Sequence, residues 1–152
     1  MFTITPAKKT QLEPLAKIFD QYRSFYNMPA NLNSSRNFIK QRLEKSDSLL
    51  FVAEKDKQLA GFMQIYPSFS SVAMKPIWIL NDLFVAKKAR RLGCARKMMK
   101  YLQATATRQD IFSIKLATEV NNFKAKDLYL SLGYELNQGF EHYSKRLVAN
   151  GQ

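Results

Sequence analysis

The sequence predicts a mixed α/β fold in which helices flank a central sheet. Three observations lead to this prediction. Apolar side chains between Leu12 and Tyr22 recur every three or four residues, which is typical of one face of a helix. Two apolar segments, "SLLFVAE" and "LAGFMQIY", flank the charged turn "KDKQ" and indicate an antiparallel hairpin. Residues 77–85 are almost continuously apolar, as in a central strand that is buried on both faces.

The other elements of the first half are shorter or less regular. "FTIT" is expected to form a strand before the first helix. After "MPANLNSS", whose serines can cap a helix, a second helix is expected to end near Lys45. Gly61 is a candidate position for a β-bulge in the hairpin. "YPSFSSVAMKP" is expected to connect the hairpin to the central strand.

The second half continues the alternation of helix and strand. A helix is expected over residues 93–108, and "FSIKLA" alternates as a strand with its Phe, Ile and Leu side chains inward. "NNFKAKDLYLSLGY" predicts another helix, which stops at Gly133. One or two final strands are expected up to Leu147. The resulting order, β-α-α-β-β-β-α-β-α-β, describes a mixed α/β sandwich.

The chain, at 152 residues, has the length of one domain with one hydrophobic core. Its hydrophobic fraction of 46% suits a packed globular protein, and no linker or repeat divides it. The segment "MFTITPAKK" lacks a signal-peptide pattern, and no apolar stretch is long enough to span a bilayer. We therefore expect a single domain, residues 1–152, in the cytoplasm.

The chain has one cysteine and one histidine, too few for a zinc cluster of these ligands. Its one cysteine, Cys94, excludes an internal disulfide, and with one histidine, His142, it cannot assemble a Cys/His zinc cluster. We expect no metal. The net charge of +12 would attract a polyanion, such as a nucleic acid, an anionic membrane or a phosphorylated small molecule, although the same charges also serve solubility. The charge alone does not choose among these partners.

The segment "ARRLGCARKMM" places basic side chains and a glycine where the central strand gives way to a helix. The first backbone N–H groups of a helix lack internal acceptors and lie at the positive end of its dipole, so they suit an anion. Gly93 and Ala95 would let a phosphate approach closely. A basic first turn of a solvated helix is the alternative, and neither a P-loop nor a dinucleotide-binding glycine pattern is present. Three side chains add positive charge: Arg90, Arg91 and Arg96.

Within this segment, "RRLGCA" fits a Gln/Arg-x-x-Gly-x-Gly/Ala signature. It resembles the GCN5-related N-acetyltransferase (GNAT) superfamily, in which that signature receives the pyrophosphate of acetyl-coenzyme A (acetyl-CoA). Downstream, "NNFKAKDLYLSLGY" is similar to the family's Asn-x-x-Ala-x-x-Leu-Tyr-x-x-x-Gly-Phe/Tyr segment. The resemblance implies a mostly antiparallel central sheet flanked by helices, in the order β-α-α-β-β-β-α-β-α-β-β. It also implies direct acetyl transfer from acetyl-CoA, as cosubstrate, to an amine in a ternary complex, without a metal.

The resemblance assigns the coenzyme to three parts of the chain. In this family the strand before the signature is splayed from its neighbour and pairs with the pantetheine arm, and the start of the downstream helix also contacts the arm. Asn122 is equally suited to cap its helix. The matching residues are Leu83, Phe84 and Val85 in the strand, Arg90, Arg91, Leu92, Gly93, Cys94, Ala95 and Arg96 in the signature, and Asn122, Ala125 and Tyr129 downstream.

Four residues are candidates for proton transfer. Tyr129 matches the family's general acid, since a phenol with an ordinary pKa of about 10 is protonated at neutral pH; a core aromatic side chain is the alternative. Asp82 is the candidate base, because desolvation in an apolar strand favours proton uptake by a carboxylate, and Asn81 would orient a water between it and the amine. The alternative for Asp82 is a structural carboxylate. His142 is a weaker candidate base.

The acceptor is expected to be a small primary amine or an amino-acid-like molecule, because the positive surface would repel a polyamine. Tyr26, Tyr66 and Phe69 are candidate walls of its site. A protein lysine or N-terminal amine is the alternative acceptor. Two other classes stay open, a basic nucleic-acid-binding module and a catalytically silent acetyl-CoA-binding regulator. No membrane or specific nucleic acid is expected as partner, and the sequence does not decide between a monomer and a homodimer.

Overall fold

The computed structural model describes residues 1–148, and the chain divides into two compact units, residues 1–117 and the residues from 118 onward. The second unit holds α4 (Phe123–Ser131). None of the helices in the described residues is long and apolar enough to cross a bilayer. The strands and α-helices described in the first unit are β1 (Thr3–Pro6), α1 (Leu12–Phe25), α2 (Leu32–Lys45), β2 (Leu49–Lys55), β3 (Gln58–Ser70), β4 (Lys75–Val85), α3 (Cys94–Arg108) and β5 (Ile114–Leu116).

These strands form one sheet in the order β1-β2-β3-β4-β5. Neighbouring strands are antiparallel from β1 to β4, whereas β5 runs parallel to β4. The prediction of a mixed, mostly antiparallel sheet flanked by helices is therefore confirmed. The almost continuously apolar β4 lies between β3 and β5, as expected of a central strand.

Helices cover both faces of the sheet. On one face, Phe19 of α1 packs with Val52 and Phe62, and burying each such side chain contributes about 1.5–3 kcal/mol. Phe51 neighbours Val52 along β2 and so points to the other face, where its ring lies 5.5 Å from that of Tyr101 of α3. The buried side chains of α3 are those that its spacing predicts, among them Met98, Met99, Leu102 and Ala106.

A β-bulge interrupts the β2–β3 ladder beside Gly61, as predicted. The register shifts between Ala53 and Glu54, which leaves Ala60 as the extra residue of β3. A Cβ atom on Gly61 would lie 2.7 Å from the carbonyl oxygen of Phe84. The close approach of β3 to β4 therefore requires a glycine at this position.

The β3–β4 connection and the cap of α2 differ from the expectation. The predicted connector "YPSFSSVAMKP" continues β3 to Ser70 and begins β4 at Lys75, because the two strands pair across it and leave only a short turn. The predicted serine cap of α2 is also wrong. Asn31 caps this helix, since its side chain accepts a hydrogen bond from the backbone N–H of Ser34 at 3.1 Å.

β5 is shorter than predicted and excludes Phe112. The parallel ladder with β4 joins Trp78–Leu80 only to Ile114–Leu116. Phe112 precedes this ladder, and its side chain is 55% exposed and lies under the ammonium group of Lys75 at 5.7 Å. The expectation that Phe112 faces inward is therefore wrong, because the strand begins after it.

The two final strands of the predicted order are not present in residues 134–148. A strand is stable when its backbone is paired and one of its faces is buried. In this segment the side chains that would fill a buried face are exposed, with Phe140 at 77% and Tyr143 at 87%. The strand prediction up to Leu147 is therefore wrong for the described residues. His142, the weaker candidate base, is exposed in the same segment.

Candidate active site

The turn between β4 and α3 leaves the start of α3 without a side-chain cap. Lys87–Ala89 form a single 3-10 turn, and Arg91 (φ 65°) and Gly93 (φ 82°) then adopt left-handed conformations. The first α-helical hydrogen bond is donated by the backbone N–H of Lys97 to the carbonyl oxygen of Gly93 at 3.0 Å. The amides of the three residues between them precede that bond and have no acceptor within the helix.

The surroundings of this turn fit a pyrophosphate. The first turn of α3 contains no acidic residue, and Arg91 and Arg96 are exposed. A Cβ atom on Gly93 would meet nothing within 4 Å, so the space in front of the glycine is open, and its positive φ disfavours any other residue. Leu92 is also exposed, while Ala95 is partly buried. Amides without an acceptor in the helix, a positive helix end and nearby guanidinium groups are the features that suit an anion.

Cys94 contributes only its backbone to this turn. Its side chain is 2% exposed, and burial raises the pKa of the thiol to about 11, against a smaller opposite effect of Lys97. The thiol therefore stays protonated at neutral pH and belongs to the core. The prediction that Cys94 helps to bind the coenzyme stays a prediction for its amide.

Arg90, the first residue of the signature, is held from the side of the sheet that α1 covers. Its Nε donates a hydrogen bond to the carbonyl oxygen of Val85 at 2.9 Å. Its guanidinium carbon lies 5.3 Å from the ring centroid of Phe84 and 5.8 Å from that of Phe25. Arg90 is therefore held by contacts with β4 and α1.

The last part of β4 is paired by β3 alone among the strands of the described chain. Leu83, Phe84 and Val85 pair with Met63, Phe62 and Gly61 of β3. The ladder with β5 ends earlier, at Leu80. The edge beyond Leu80 can therefore accept an extended molecule along the strand, in the way that an added strand pairs with a sheet edge.

A second register shift places Asn81 as an extra residue in β4. Gln64 pairs with Asp82, and Ile65 pairs with Leu80. A bulge of this kind redirects the side chain of the extra residue, and Asn81 is exposed. Asn81 and Asp82 thus lie where the β5 ladder has ended.

Asp82 is the centre of a buried hydrogen-bond cluster. The residue is 4% exposed. Its Oδ1 accepts hydrogen bonds from Tyr22 Oη and Asn81 Nδ2, both at 2.8 Å, and its Oδ2 accepts one from Gln64 Nε2 at 2.5 Å. Gln64 Oε1 in turn accepts from Ser48 Oγ at 2.8 Å. Three side-chain donors thus satisfy the carboxylate, and α1, β3 and β4 are joined through it.

The tyrosines near Asp82 form a partly buried aromatic group. Burial, followed by the negative charge of Asp82, raises the pKa of Tyr22 far above its ordinary value, and the same two causes raise the pKa of Tyr66. The ring of Tyr26 lies 5.2 Å from that of Tyr22, edge to face. Both predicted acceptor walls, Tyr26 and Tyr66, therefore belong to the surroundings of Asp82. Phe69 does not, because it is 78% exposed near the β3–β4 turn.

In the second unit, the residues of the downstream motif lie on α4. Asn122 caps the helix, since its side chain accepts a hydrogen bond from the backbone N–H of Ala125 at 3.2 Å. The ring of Tyr129 lies 6.0 Å from that of Tyr134. The helix stops at Gly133, as predicted, with a hydrogen bond from the backbone N–H of Tyr134 to the carbonyl oxygen of Tyr129 at 3.0 Å. The capping role of Asn122 is confirmed, and its coenzyme contact stays a prediction.

Three members of the Asp82 cluster are missing from the sequence-based candidates: Tyr22, Gln64 and Ser48. The available signal was Gln64, a fully buried amide in the otherwise apolar segment "GFMQIY". A buried amide needs a polar partner. Pairing the segment of Gln64 with the central strand would have placed this amide near the polar pair Asn81 and Asp82. Tyr22 carried no such signal, because a tyrosine on the apolar face of a helix is ordinary.

Comparisons with known proteins agree with this geometry. Residues 15–134 match the model of the Acetyltransferase (GNAT) family. The chain is 41% identical over 146 residues to an uncharacterized N-acetyltransferase of Bacillus subtilis (strain 168), which covers 96% of this chain and 98% of that protein. It is 23% identical over 126 residues to a D-amino-acid N-acetyltransferase of Saccharomyces cerevisiae, covering 80% and 78%. The crystal structure of a probable acetyltransferase is 36% identical, with a TM-score of 0.90 over 97% of this chain and 99% of the other.

The family match includes residues of both units, and the single domain predicted from the length stays a prediction. The predicted family is confirmed by a family model that matches most of the chain and by a relative that covers nearly all of it. This chain therefore belongs to the acetyltransferase (GNAT) family and is an acyltransferase of that type.

Proposed function

We propose that this protein transfers an acetyl group from acetyl-CoA to the primary amine of a small, amino-acid-like molecule, directly and with both substrates bound. One observation carries the donor half of the proposal. The edge of β4 beyond Leu80 leads directly into the uncapped start of α3. An extended arm that ends in a pyrophosphate fits these two neighbouring features. The strand edge offers backbone hydrogen bonds to the arm, and the helix start offers amides and positive charge to the pyrophosphate.

Coenzyme A supplies the activated acyl group as a thioester. In the proposed complex, the backbone of Leu83–Val85 holds the pantetheine arm. The amides from Cys94 to Arg96, with the guanidinium groups of Arg91 and Arg96, hold the pyrophosphate. The register of the family motif assigns Asn122 to the same arm; its Nδ2 would be the donor, because Asn122 Oδ1 accepts the capping hydrogen bond.

Acetyl transfer forms a C–N bond, breaks a C–S bond, removes one proton from the amine and adds one to the sulfur. We assign proton donation to the sulfur to Tyr129, whose hydroxyl group is a donor at neutral pH. The assignment is supported by the register of the family motif, in which Asn122, Ala125, Tyr129 and Gly133 all match.

The hydrogen bonds of Asp82 favour a structural role, in which it holds Asn81 in place, over a role as the base that removes the amine proton. Three donors already occupy its carboxylate, which leaves one acceptor position on Oδ2. Anchored in this way, the exposed Asn81 can direct its amide oxygen toward a water or the amine. The base role would require the buried carboxylate to lose some of these hydrogen bonds. The variant Asp82→Asn separates the two roles.

For the acceptor, two observations support an amino-acid-like amine. The ring of Tyr26 packs on Tyr22, which donates to Asp82, and the charge of Asp82 acts on Tyr66, so both tyrosines offer aromatic walls near Asp82 that suit an alkyl or aryl side chain. A D-amino-acid N-acetyltransferase is among the relatives of the chain. The net charge of +12 disfavours polyamines. A protein lysine or N-terminal amine is the second candidate acceptor.

The test is release of coenzyme thiol from acetyl-CoA in the presence of D- and L-amino acids, simple alkylamines and lysine-containing peptides. Release with amino acids supports the proposal, whereas release only with peptides supports the second acceptor class. Thermal shifts with coenzyme A, ATP and NADH accompany the assay. A selective coenzyme A shift without thiol release would indicate a catalytically silent binder, and equal shifts from all three would indicate a general basic patch. Sedimentation of the same sample distinguishes a monomer from a homodimer.

A further inference from the structure

Three contacts hold the side chain of Arg90, two on β4 and one on α1. Its Nε donates to the carbonyl oxygen of Val85, and its guanidinium group lies over the rings of Phe84 and Phe25. A guanidinium group over an aromatic ring contributes about 0.5–1 kcal/mol at an exposed site. Phe84 belongs to β4 and Phe25 is the last residue of α1. Arg90 therefore connects the end of α1 to the end of β4.

A chain of aromatic contacts leads from this point to the Asp82 cluster. The ring of Phe25 lies 5.2 Å from that of Tyr26, and the ring of Tyr26 lies 5.2 Å from that of Tyr22. Tyr22 donates its hydroxyl hydrogen bond to Asp82. The position of Tyr26, a candidate wall of the acceptor site, therefore depends on the end of α1 to which Arg90 is bound.

The segment that follows Phe25 is bonded back to α1, and α2 is bonded to the same residue of α1. Asp20 Oδ1 accepts hydrogen bonds from the backbone N–H of Asn31 at 3.0 Å and from Ser35 Oγ at 2.7 Å. Beside Phe25 and Arg90 lies a cavity of about 500 Å³, which is also lined by Ala30 and Lys87 among others.

We infer that Arg90 is a positioning residue for the acceptor side of the site and not a ligand of the coenzyme phosphates. It holds the end of α1 against β4 and thereby sets the place of Phe25 and Tyr26. The inference rests on the proposed function, because that function gives Tyr26 its role. It also departs from what the family signature implies for this arginine. Both Arg90 and Arg91 are exposed, but only Arg90 has these contacts with β4 and α1, and Arg91 keeps the proposed phosphate role.

The experiment compares Arg90→Met with Arg91→Met, two adjacent arginines in one turn. Hydrogen exchange of the backbone amides of residues 23–31 measures how firmly the end of α1 is held, and calorimetry with coenzyme A measures the phosphate contact. We expect Arg90→Met to speed exchange at 23–31 and to raise KM for the best amino acid of the panel by about five- to tenfold, with the coenzyme Kd and kcat nearly unchanged. Arg91→Met should weaken coenzyme binding by about the same factor and leave exchange at 23–31 unchanged.

A second variant protects the test against misfolding of the first. Phe25→Leu removes the ring under the guanidinium group but leaves the signature intact, and it should reproduce the faster exchange and the raised KM. The inference is overturned if Arg90→Met leaves exchange at 23–31 unchanged, or if it weakens coenzyme A as much as Arg91→Met does. Exchange and calorimetry need no acceptor. Absence of turnover with every amine would therefore count against the proposed function and leave these two measurements to decide the role of Arg90.

Discussion

Two polar regions lie close together along the chain and differ in how their hydrogen-bonding groups are satisfied. At Asp82, a buried carboxylate receives three side-chain hydrogen bonds from Tyr22, Asn81 and Gln64. At the start of α3, no side chain caps the helix, and its first turn holds no acidic residue. The first region is closed within the fold, and the second is open.

The difference indicates which region can take up a ligand and which region stabilises the fold. A buried polar group costs free energy unless its partners are present, so the Asp82 cluster has to be completed by the protein itself. A helix start at the surface can be satisfied by water, which a ligand can replace. The open region therefore suits a negatively charged ligand, which we propose to be the coenzyme phosphates. The closed region fixes the sheet geometry around Asp82, where we propose that the acceptor binds.

The largest effect should come from closing the open region. Gly93→Glu adds both bulk and negative charge at the start of α3, where Gly93 has a φ of 82° and open space in front of it. We expect the thermal shift by coenzyme A to disappear, which corresponds to binding weakened by about 100-fold or more. Calorimetry with coenzyme A measures the loss.

Gly93→Ala is the matched control for that variant. It brings the same backbone strain without the charge, so it should lower stability by about 1 kcal/mol and retain part of the selective coenzyme A shift. If Gly93→Glu binds coenzyme A like the wild type, the start of α3 is not the phosphate site.

The next effect concerns the second unit, where Tyr129 would donate a proton. Tyr129→Phe should lower kcat by roughly 100-fold, in line with typical general-acid contributions, with coenzyme affinity nearly unchanged. Steady-state kinetics over a range of pH measure it. Tyr134→Phe is the control, because the family motif accepts Phe at that position and the rings of the two tyrosines are neighbours. A Tyr129→Phe enzyme with full activity and an unaltered pH profile would remove Tyr129 from the mechanism.

The open region was predictable from sequence, and the closed one was predictable only in part. "RRLGCA" is a local pattern, and its backbone geometry follows from Gly93 and the strand-to-helix change beside it. The interruption of β4 by Asp82 was also visible. Its partners were not, because Tyr22 and Gln64 are brought to it by helix packing and strand register, which depend on contacts far apart in sequence.

The same reasoning explains two other differences. Arg90 and Arg91 look alike in the signature, but the aromatic contacts of Arg90 come from α1 and β4, which no local pattern reports. The final strands expected up to Leu147 are the second difference. A strand forms only where a partner backbone is available, so the sequence of that segment alone could not decide whether it is a strand.

A smaller effect should follow from disturbing the closed region at its centre. In Asp82→Asn, the amide can accept only part of the three hydrogen bonds and places its own donors against those of Gln64 and Tyr22. We expect stability to fall by about 1–3 kcal/mol in urea unfolding, with kcat/KM per folded molecule retained. Ser48→Ala, at the outer end of the cluster, is the control and should cost less. Normal stability together with loss of the acidic limb of the pH profile would instead make Asp82 the base.

The smallest effect should come from Tyr22→Phe, which removes one donor from Asp82 and should cost about 1 kcal/mol at pH 7. Its pH dependence makes the test specific. Burial and the charge of Asp82 raise the pKa of Tyr22 above its ordinary 10.0, so the folded protein keeps a proton that the unfolded chain releases above about pH 10. The stabilisation is therefore complete below that pH and is lost as the pH rises further. Cys94, whose pKa burial also raises, acts in the same direction, but it is present in both proteins and cancels in their difference.

The quantity to measure is therefore the difference in unfolding free energy between the wild type and Tyr22→Phe, from urea unfolding at several pH values. It should be constant from pH 7 to 9 and shrink above pH 10, because only the wild type loses the contribution of the phenol there. Tyr101→Phe, which removes the hydroxyl group of a ring that packs on Phe51 away from Asp82, is the control. A difference for Tyr22→Phe that is equally constant up to pH 11 would mean that its hydroxyl proton is not shared with Asp82. The closed region would then be held together by Gln64 and Asn81 alone.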